Sequence, residues 1–222
     1  MGTMGLSRFK TSIQRDVSQF GFANTLKDYL FRAINRLTTF QIFHAMTISE
    51  PNPKYMLTDE KYTCKFLTAD ELFAFAHQPD LGLDEKFLRQ AIEKGDECYA
   101  ILDGTRLAAY GWYSNAPTTV SDDLRLKFHL DYIYMYNGYT HNDYRGQRLH
   151  AVGMTRALDE YRRRGFKGIV SYVEESNFRS LQSVYRMGYA DFGKVYILKL
   201  FGRYLIRHTP MCEAYGFVVE TR

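Results

Sequence analysis

The chain is poor in cysteine, tryptophan and proline, with three, one and five in 222 residues. Cys64, Cys98 and Cys212 stand far apart and form no CxxC or Cys/His ligand spacing. Neither a disulfide framework nor a zinc site is indicated, no metal is expected, and a reducing cytoplasm fits best. Long apolar runs are missing too. No stretch reaches the roughly 18 uninterrupted apolar residues of a membrane span, and polar residues break up the N-terminus before a signal-peptide core forms. Gly2 is followed by Leu6 where a myristoylation signal has Ser or Thr. Charge of one sign is also scarce: 29 Lys and Arg against 25 Asp and Glu leave a formal +4. The basic residues are scattered except at Arg162, Arg163 and Arg164, which suit a helix C-terminus, so nucleic acid is not an expected partner.

What the chain has in quantity is aromatic: 16% of residues, carried by 18 Tyr and 16 Phe. Tyrosine suits half-wet clefts and interfaces. A chain of this length accommodates one core plus an appendage. From Ser7 to Thr47, Phe9, Ile13, Val17 and Phe20, then Leu26, Leu30, Ile34 and Leu37, recur at three- and four-residue spacing and read as two amphipathic helices broken near Gly21. The segment Ser49-Glu50-Pro51-Asn52-Pro53-Lys54 cannot continue a helix, because proline lacks the amide hydrogen and forces its predecessor into an extended shape. A boundary is expected there, dividing a helical extension (1–50) from a folded domain (51–222). Packing of the extension on the domain is the default reading. A homodimer contact or a peripheral membrane contact are the alternatives.

Beyond the boundary, strands alternate with helices, the pattern of an α/β or α+β layer fold. Strands are expected at Tyr62–Leu67, Cys98–Leu102, Arg106–Tyr113, Asp131–Thr140, Ile169–Val173, Val195–Leu200 and Tyr215–Val219. Helices are expected from Asp70, from Asp84, from Leu149 to Arg164 with Gly165 as its cap, and from Ser176 to Met187 with Gly188 as its cap. Gly138 interrupts its strand, where a bulge or a close backbone approach is expected.

The informative unit is strand, then Asp143-Tyr144-Arg145-Gly146-Gln147-Arg148-Leu149-His150-Ala151, then helix. A tight turn feeding a helix N-terminus offers unpaired N–H groups at the positive end of the dipole, as a pyrophosphate requires. No Gly-Lys-Ser/Thr follows, and a single glycine is too few for a dinucleotide fingerprint. On its own the loop fits an anion cradle and an ordinary strand-to-helix turn equally well.

This stretch resembles the Gcn5-related N-acetyltransferase (GNAT) family, whose motif is Arg/Gln-x-x-Gly-x-Gly/Ala between the fourth strand and third helix. Arg145 takes its first position, and Arg148 and His150 stand where the family usually has glycine or a small residue. A second match follows in Val173-Glu174-Glu175-Ser176-Asn177, then Ser180, Tyr185 and Gly188-Tyr189. The resemblance covers roughly Tyr62 to Leu200. It implies a mixed, mostly antiparallel sheet flanked by helices, with acetyl-coenzyme A or another acyl-coenzyme A as co-substrate. It implies cofactor contacts at Tyr139, Thr140, Arg145, Gly146, Gln147, Arg148, Leu149, His150, Ala151, Asn177 and Ser180, and an oxyanion donor at the backbone N–H of Gly138 or Tyr139.

Acyl transfer to an amine also needs a base and an acid. By resemblance Tyr185 is the candidate acid for the departing thiolate, although a core tyrosine is the plainer reading of its helical spacing. Glu174 and Glu175 could supply the base or form a solvated strand edge, and Asp131 is a candidate catalytic residue on the strand that leads to the thioester. Asn177 serves either as cofactor contact or helix N-cap. His141 is a further candidate base or phosphate contact, and Tyr132, Tyr134 and Tyr136 line either an acceptor cleft or a packed sheet. The expected activity is acyl transfer, acetyl first, from coenzyme A to a primary amine of a small molecule. Two alternatives stand beside it: a fold member that binds without turnover, and a long-chain acyltransferase working at a membrane surface in envelope or polysaccharide biosynthesis.

Overall fold

Helix boundaries fall largely where the stop signals stand. In the computed structural model, which describes residues 14–35 and 38–222, α1 is seen over residues 14–20 and α2 spans Phe22–Ile34. α3 (Ala69–Phe75) opens on a Thr68/Glu71 capping box. α4 (Glu85–Lys94) is capped by Asp84 and closed by left-handed Gly95. α5 (Leu149–Arg163) ends where Gly165 turns to φ 95° and Phe166 N–H reaches Tyr161 O. α6 (Phe178–Met187) starts under the Asn177 side chain, which accepts the Ser180 N–H at 3.2 Å, and ends at left-handed Gly188. A short α7 (Pro210–Ala214) follows later.

The strands are β1 (Thr39–Ile48), β2 (Tyr62–Phe66), β3 (Glu97–Asp103), β4 (Arg106–Ser114), β5 (Thr118–Ser121), β6 (Leu124–Lys127), β7 (Tyr132–Thr140), β8 (Gly168–Glu174), β9 (Ala190–Leu200), β10 (Arg203–His208) and β11 (Val218–Thr221). Eight form one sheet in the order β10-β9-β1-β8-β7-β4-β3-β2, and β11-β6-β5 form a second, smaller one. Every pairing in the large sheet is antiparallel except β7 with β8. The expected mixed, mostly antiparallel sheet flanked by helices is the observed fold.

α5 and α6 cover one sheet face over a core that includes Met46, Ile48, Ile133, Leu149, Val152, Leu158, Ile169 and Met187. The other face packs against α3 and α4 around Leu88 and Trp112, and against the small sheet around Phe43, Leu126, Tyr134 and Phe217. The tyrosines of β7 belong to this second packing: Tyr134 is buried, and Tyr136 donates to the Asp96 carboxylate.

The extension departs from expectation in two ways. Residues expected to continue a helix to Thr47 form β1, which pairs with β8 from Phe43↔Glu174 to Ile48↔Ile169 and with β9 on its other side. A central strand buried on both faces reads as an unbroken apolar run, and its spacing imitates a helix. The expected boundary therefore divides residues that share one sheet. Second, α2 turns its apolar stripe outward: Phe22, Leu26, Leu30 and Ile34 are 71%, 48%, 55% and 42% exposed. It docks instead through buried Thr25 and Phe31, through the Phe31–Phe40 stack and through a Lys27–Glu175 ion pair. Phe9, Ile13 and Leu37 lie outside the described residues. Among those described, no helix is long and apolar enough to cross a membrane.

Candidate active site

β7 and β8 start as neighbours and then part. Their parallel pairing runs from Tyr132↔Gly168 to Tyr134↔Val170, after which β7 follows β4 up to Ala109↔Thr140 while β8 follows β1. The register of β7 against β4 slips at Asn137, which takes φ 35°, so the bulge expected near Gly138 is present. His141 donates its N–H to Ala108 O. Alternation along the strand then turns the Tyr139 amide toward β4 and the Gly138 and Thr140 amides into the gap. Of the two expected oxyanion donors, Gly138 is the one whose amide turns into the gap.

The N-terminus of α5 sits above that gap. Gly146 takes φ 84° and Arg148, the N-cap residue, takes φ 62° with no side-chain cap, leaving the first-turn amides of α5 to an outside partner. Two non-glycine residues in positive φ, Asn137 and Arg148, thus flank one opening, as strained backbone often does at functional sites. Gln147 is held by the Tyr62 hydroxyl at 2.6 Å, which ties the loop to β2.

Between α5 and α6 lies a cavity of about 260 Å³ lined by Lys54, Tyr55, Arg148, His150, Ala151, Ser183, Arg186 and Met187. Among the described residues, Lys54, Arg148 and Arg186 have no carboxylate partner. Three unpaired cations at a helix N-terminus make an anion site. A larger hollow of about 410 Å³ outside α5 contains Lys65, Arg156 and Arg163; Lys65 and Arg163 are paired with Glu71, Asp159 and Glu160, Arg156 donates to Met56 O, and Asp159 and Glu160 line the hollow themselves. No group of three His, Cys, Asp or Glu able to hold a metal occurs among the described residues.

Not every expected site residue reaches the cleft. Arg148, His150 and Ala151 line it; Leu149 is buried and anchors the helix; Arg145, Gly146 and Gln147 form the exposed turn at its rim. Tyr139 stacks on Tyr110 and donates to Asp80 O on the far face. Asn177 acts as N-cap and receives the Ser180 amide; Asn177 lines a separate hollow with Arg15, Phe20 and Phe178, closed over by α1. His141 accepts the Asp143 N–H and sits beside its carboxylate.

The expected acid and Asp131 are placed elsewhere. Tyr185 does not line the cleft. Ser183, Arg186 and Met187 face it and Val184 packs into the core, and one residue turns a helix by about 100°. The Tyr185 hydroxyl instead donates to Asp191 on β9 at 2.6 Å, and burial together with that carboxylate pushes its pKa up to about 12. Asp131 stands just before β7, about 30 Å of strand from Thr140, ion-paired with Lys167 at 2.7 Å and held below the usual carboxylate range by that partner. Glu174 is half-buried at the open end of β8, and burial raises its pKa, with Asp28 adding to the effect. Sequence reasoning overlooked Lys54, Tyr55, Ser183 and Arg186. Lys54 sits in a proline-rich segment that reads as linker, and nothing in the pattern around Arg186 marks which way it turns.

A ligand suited to this cleft carries phosphate-like charge at one end and a chain that can lie along a strand edge. The model of the Acetyltransferase (GNAT) family matches residues 60–189, and the chain belongs to that family. No curated protein matches it in sequence. Among solved structures it is similar to a GCN5-related N-acetyltransferase from Sphaerobacter thermophilus, with 12% identity, 81% of this chain and 55% of that one covered, and a TM-score of 0.50. A GNAT-family acetyltransferase from Novosphingobium aromaticivorans gives 16%, 69%, 60% and 0.46. The ribosomal-protein-S18-alanine N-acetyltransferase from Escherichia coli gives 19%, 57%, 76% and 0.44. The chain spans about 60% of the Novosphingobium protein's length, and at these identities the likeness is one of fold.

Proposed function

We propose that this chain transfers an acetyl group from acetyl-coenzyme A to a primary amine of a small-molecule acceptor, by direct attack while both are bound. The observation that carries the reading is the set of unpaired cations, Lys54, Arg148 and Arg186, gathered at the uncapped N-terminus of α5. Pyrophosphate would rest on the first-turn amides with Arg145 and Arg148 beside it, and the pantetheine arm would follow the free edge of β7 through Thr140. The Gly138 N–H would then face the thioester oxygen, where a donor aimed at developing negative charge stabilises the transition state. Glu174, half-buried at the open end of β8, offers a carboxylate to an incoming ammonium.

Calorimetric titration with acetyl-coenzyme A, repeated on the Arg145→Ala, Gly146→Val double variant, tests this. Saturable binding that the variant loses is the expected result. A folded wild-type protein that does not bind would remove the donor assignment.

A further inference from the structure

We infer that the imidazole of His150 carries the proton between the attacking amine and the departing thiolate, an inference that rests on the acetyl-coenzyme A reading above. His150 is the second residue of α5, and its ring lies against the bulge of β7. A Cβ placed on Gly138 would come within 2.5 Å of His150 Cε1 and 3.1 Å of its Nδ1. The ring therefore covers the face of Gly138, the residue whose amide points into the gap between β7 and β8. It lines the cleft between α5 and α6 on one side and a small hollow against Tyr99, Tyr113 and Met154 on the other. A proton-carrying group is needed at that point, and neither Tyr185 nor Asp131 is there.

The surroundings favour the neutral ring. Facing it are Arg148 on its own helix, Lys54 and Tyr55 from the segment before β2, Arg186 on α6, Tyr99 from β3 and Tyr113 from β4. No carboxylate lines either hollow. Burial lowers its pKa below the ordinary histidine value, so the ring arrives at neutral pH as an acceptor. The step balances within the complex. The neutral amine's lone pair forms the new N–C bond, one N–H proton passes to the ring nitrogen, the C–S bond breaks, and the imidazolium returns that proton to the thiolate. The products are an amide and a free thiol, with His150 neutral again.

Histidine-ring carbon NMR, assigned with His150→Gln, tests the placement independently of turnover. The His150 resonance is expected to move much further with acetyl-coenzyme A than with adenosine 3′,5′-bisphosphate, which fills only the phosphate end. Equal response to both, or none to acetyl-coenzyme A once calorimetry shows it bound, overturns the inference. Failure of calorimetric binding by wild type is a different outcome, since it overturns the donor reading itself. With glycinamide as probe amine, His150→Gln and His150→Ala are expected to lower thiol release by about a hundredfold and to erase the acid limb of the pH profile, while acetyl-coenzyme A affinity holds. A His150→Ala protein that turns over faster than wild type would show the ring to be an obstruction and would equally sink the assignment.

Discussion

The two sides of α6 carry charge in opposite ways. Toward β9, charge is matched: Tyr185 bonds Asp191, Asp191 lies 3.4 Å from His44 Nδ1, and Glu175 gathers Lys27, Lys194 and His44. Burial alone would raise the Glu175 pKa, yet those neighbours hold it below the ordinary carboxylate value. Toward α5, Lys54, Arg148 and Arg186 face a cavity with no carboxylate among its lining residues. Both sides are rich in titratable groups, so a count would not tell them apart. The difference lies in satisfaction: the matched side fastens β8, β9, α2 and α6 together, and the unmatched side keeps its electrostatic capacity for a ligand.

The sharpest way to break the comparison is charge reversal on the unmatched side. Arg148→Glu with Arg186→Glu is expected to weaken acetyl-coenzyme A binding by about a hundredfold or more, since charge-assisted contacts to phosphate are each worth roughly 1.5–3 kcal/mol. Calorimetry reads the affinity and circular dichroism checks the fold. A change below fivefold would show the cations to be idle.

On the matched side, Glu175→Gln is expected to cost about 1–3 kcal/mol of stability and to leave acetyl-coenzyme A affinity alone. Because the folded pKa of Glu175 is depressed, its contribution is complete above the unfolded carboxylate value. It is lost as pH falls through the lower folded value. Urea melts at pH 7 and at pH 3.5 should therefore show the gap between wild type and variant closing in acid. A gap that is unchanged or wider in acid would contradict the network.

Tyr185→Phe removes one hydrogen bond to Asp191, for an expected loss of about 1 kcal/mol. Turnover should stay within a few fold, and a hundredfold fall would return Tyr185 to the role of acid. Smallest of all is Leu26→Glu with Leu30→Glu. These side chains face outward, so thermal melts should move by no more than about 0.5 kcal/mol of stability. A large loss would mean that the stripe is covered in the native protein.

Much of the fold could be read from the chain because its cues are local. Gly165 and Gly188 close helices in the left-handed conformation, Asn177 caps α6, and the turn before Leu149 delivers a helix N-terminus, all within a few residues of sequence. The short strands Thr118–Ser121 and Leu124–Lys127 escaped notice because four residues are too few to show a period. β1 escaped because burial on both faces erases the alternation that marks a strand.

Taken by itself, the sequence determined the layer fold, the turn at Arg145–Ala151 that feeds the α5 N-terminus, the interruption of β7 near Gly138 and the resemblance to the family. Only the tertiary structure decided which side of α6 faces the cleft, since a one-residue step separates core-facing Val184 from outward Tyr185. Only it brought Lys54 and Arg186 beside Arg148, and only it laid the His150 ring across Gly138. Local backbone preferences extend over a turn or two of chain. Which charges end up matched depends on strands and helices that meet only when the sheet has formed.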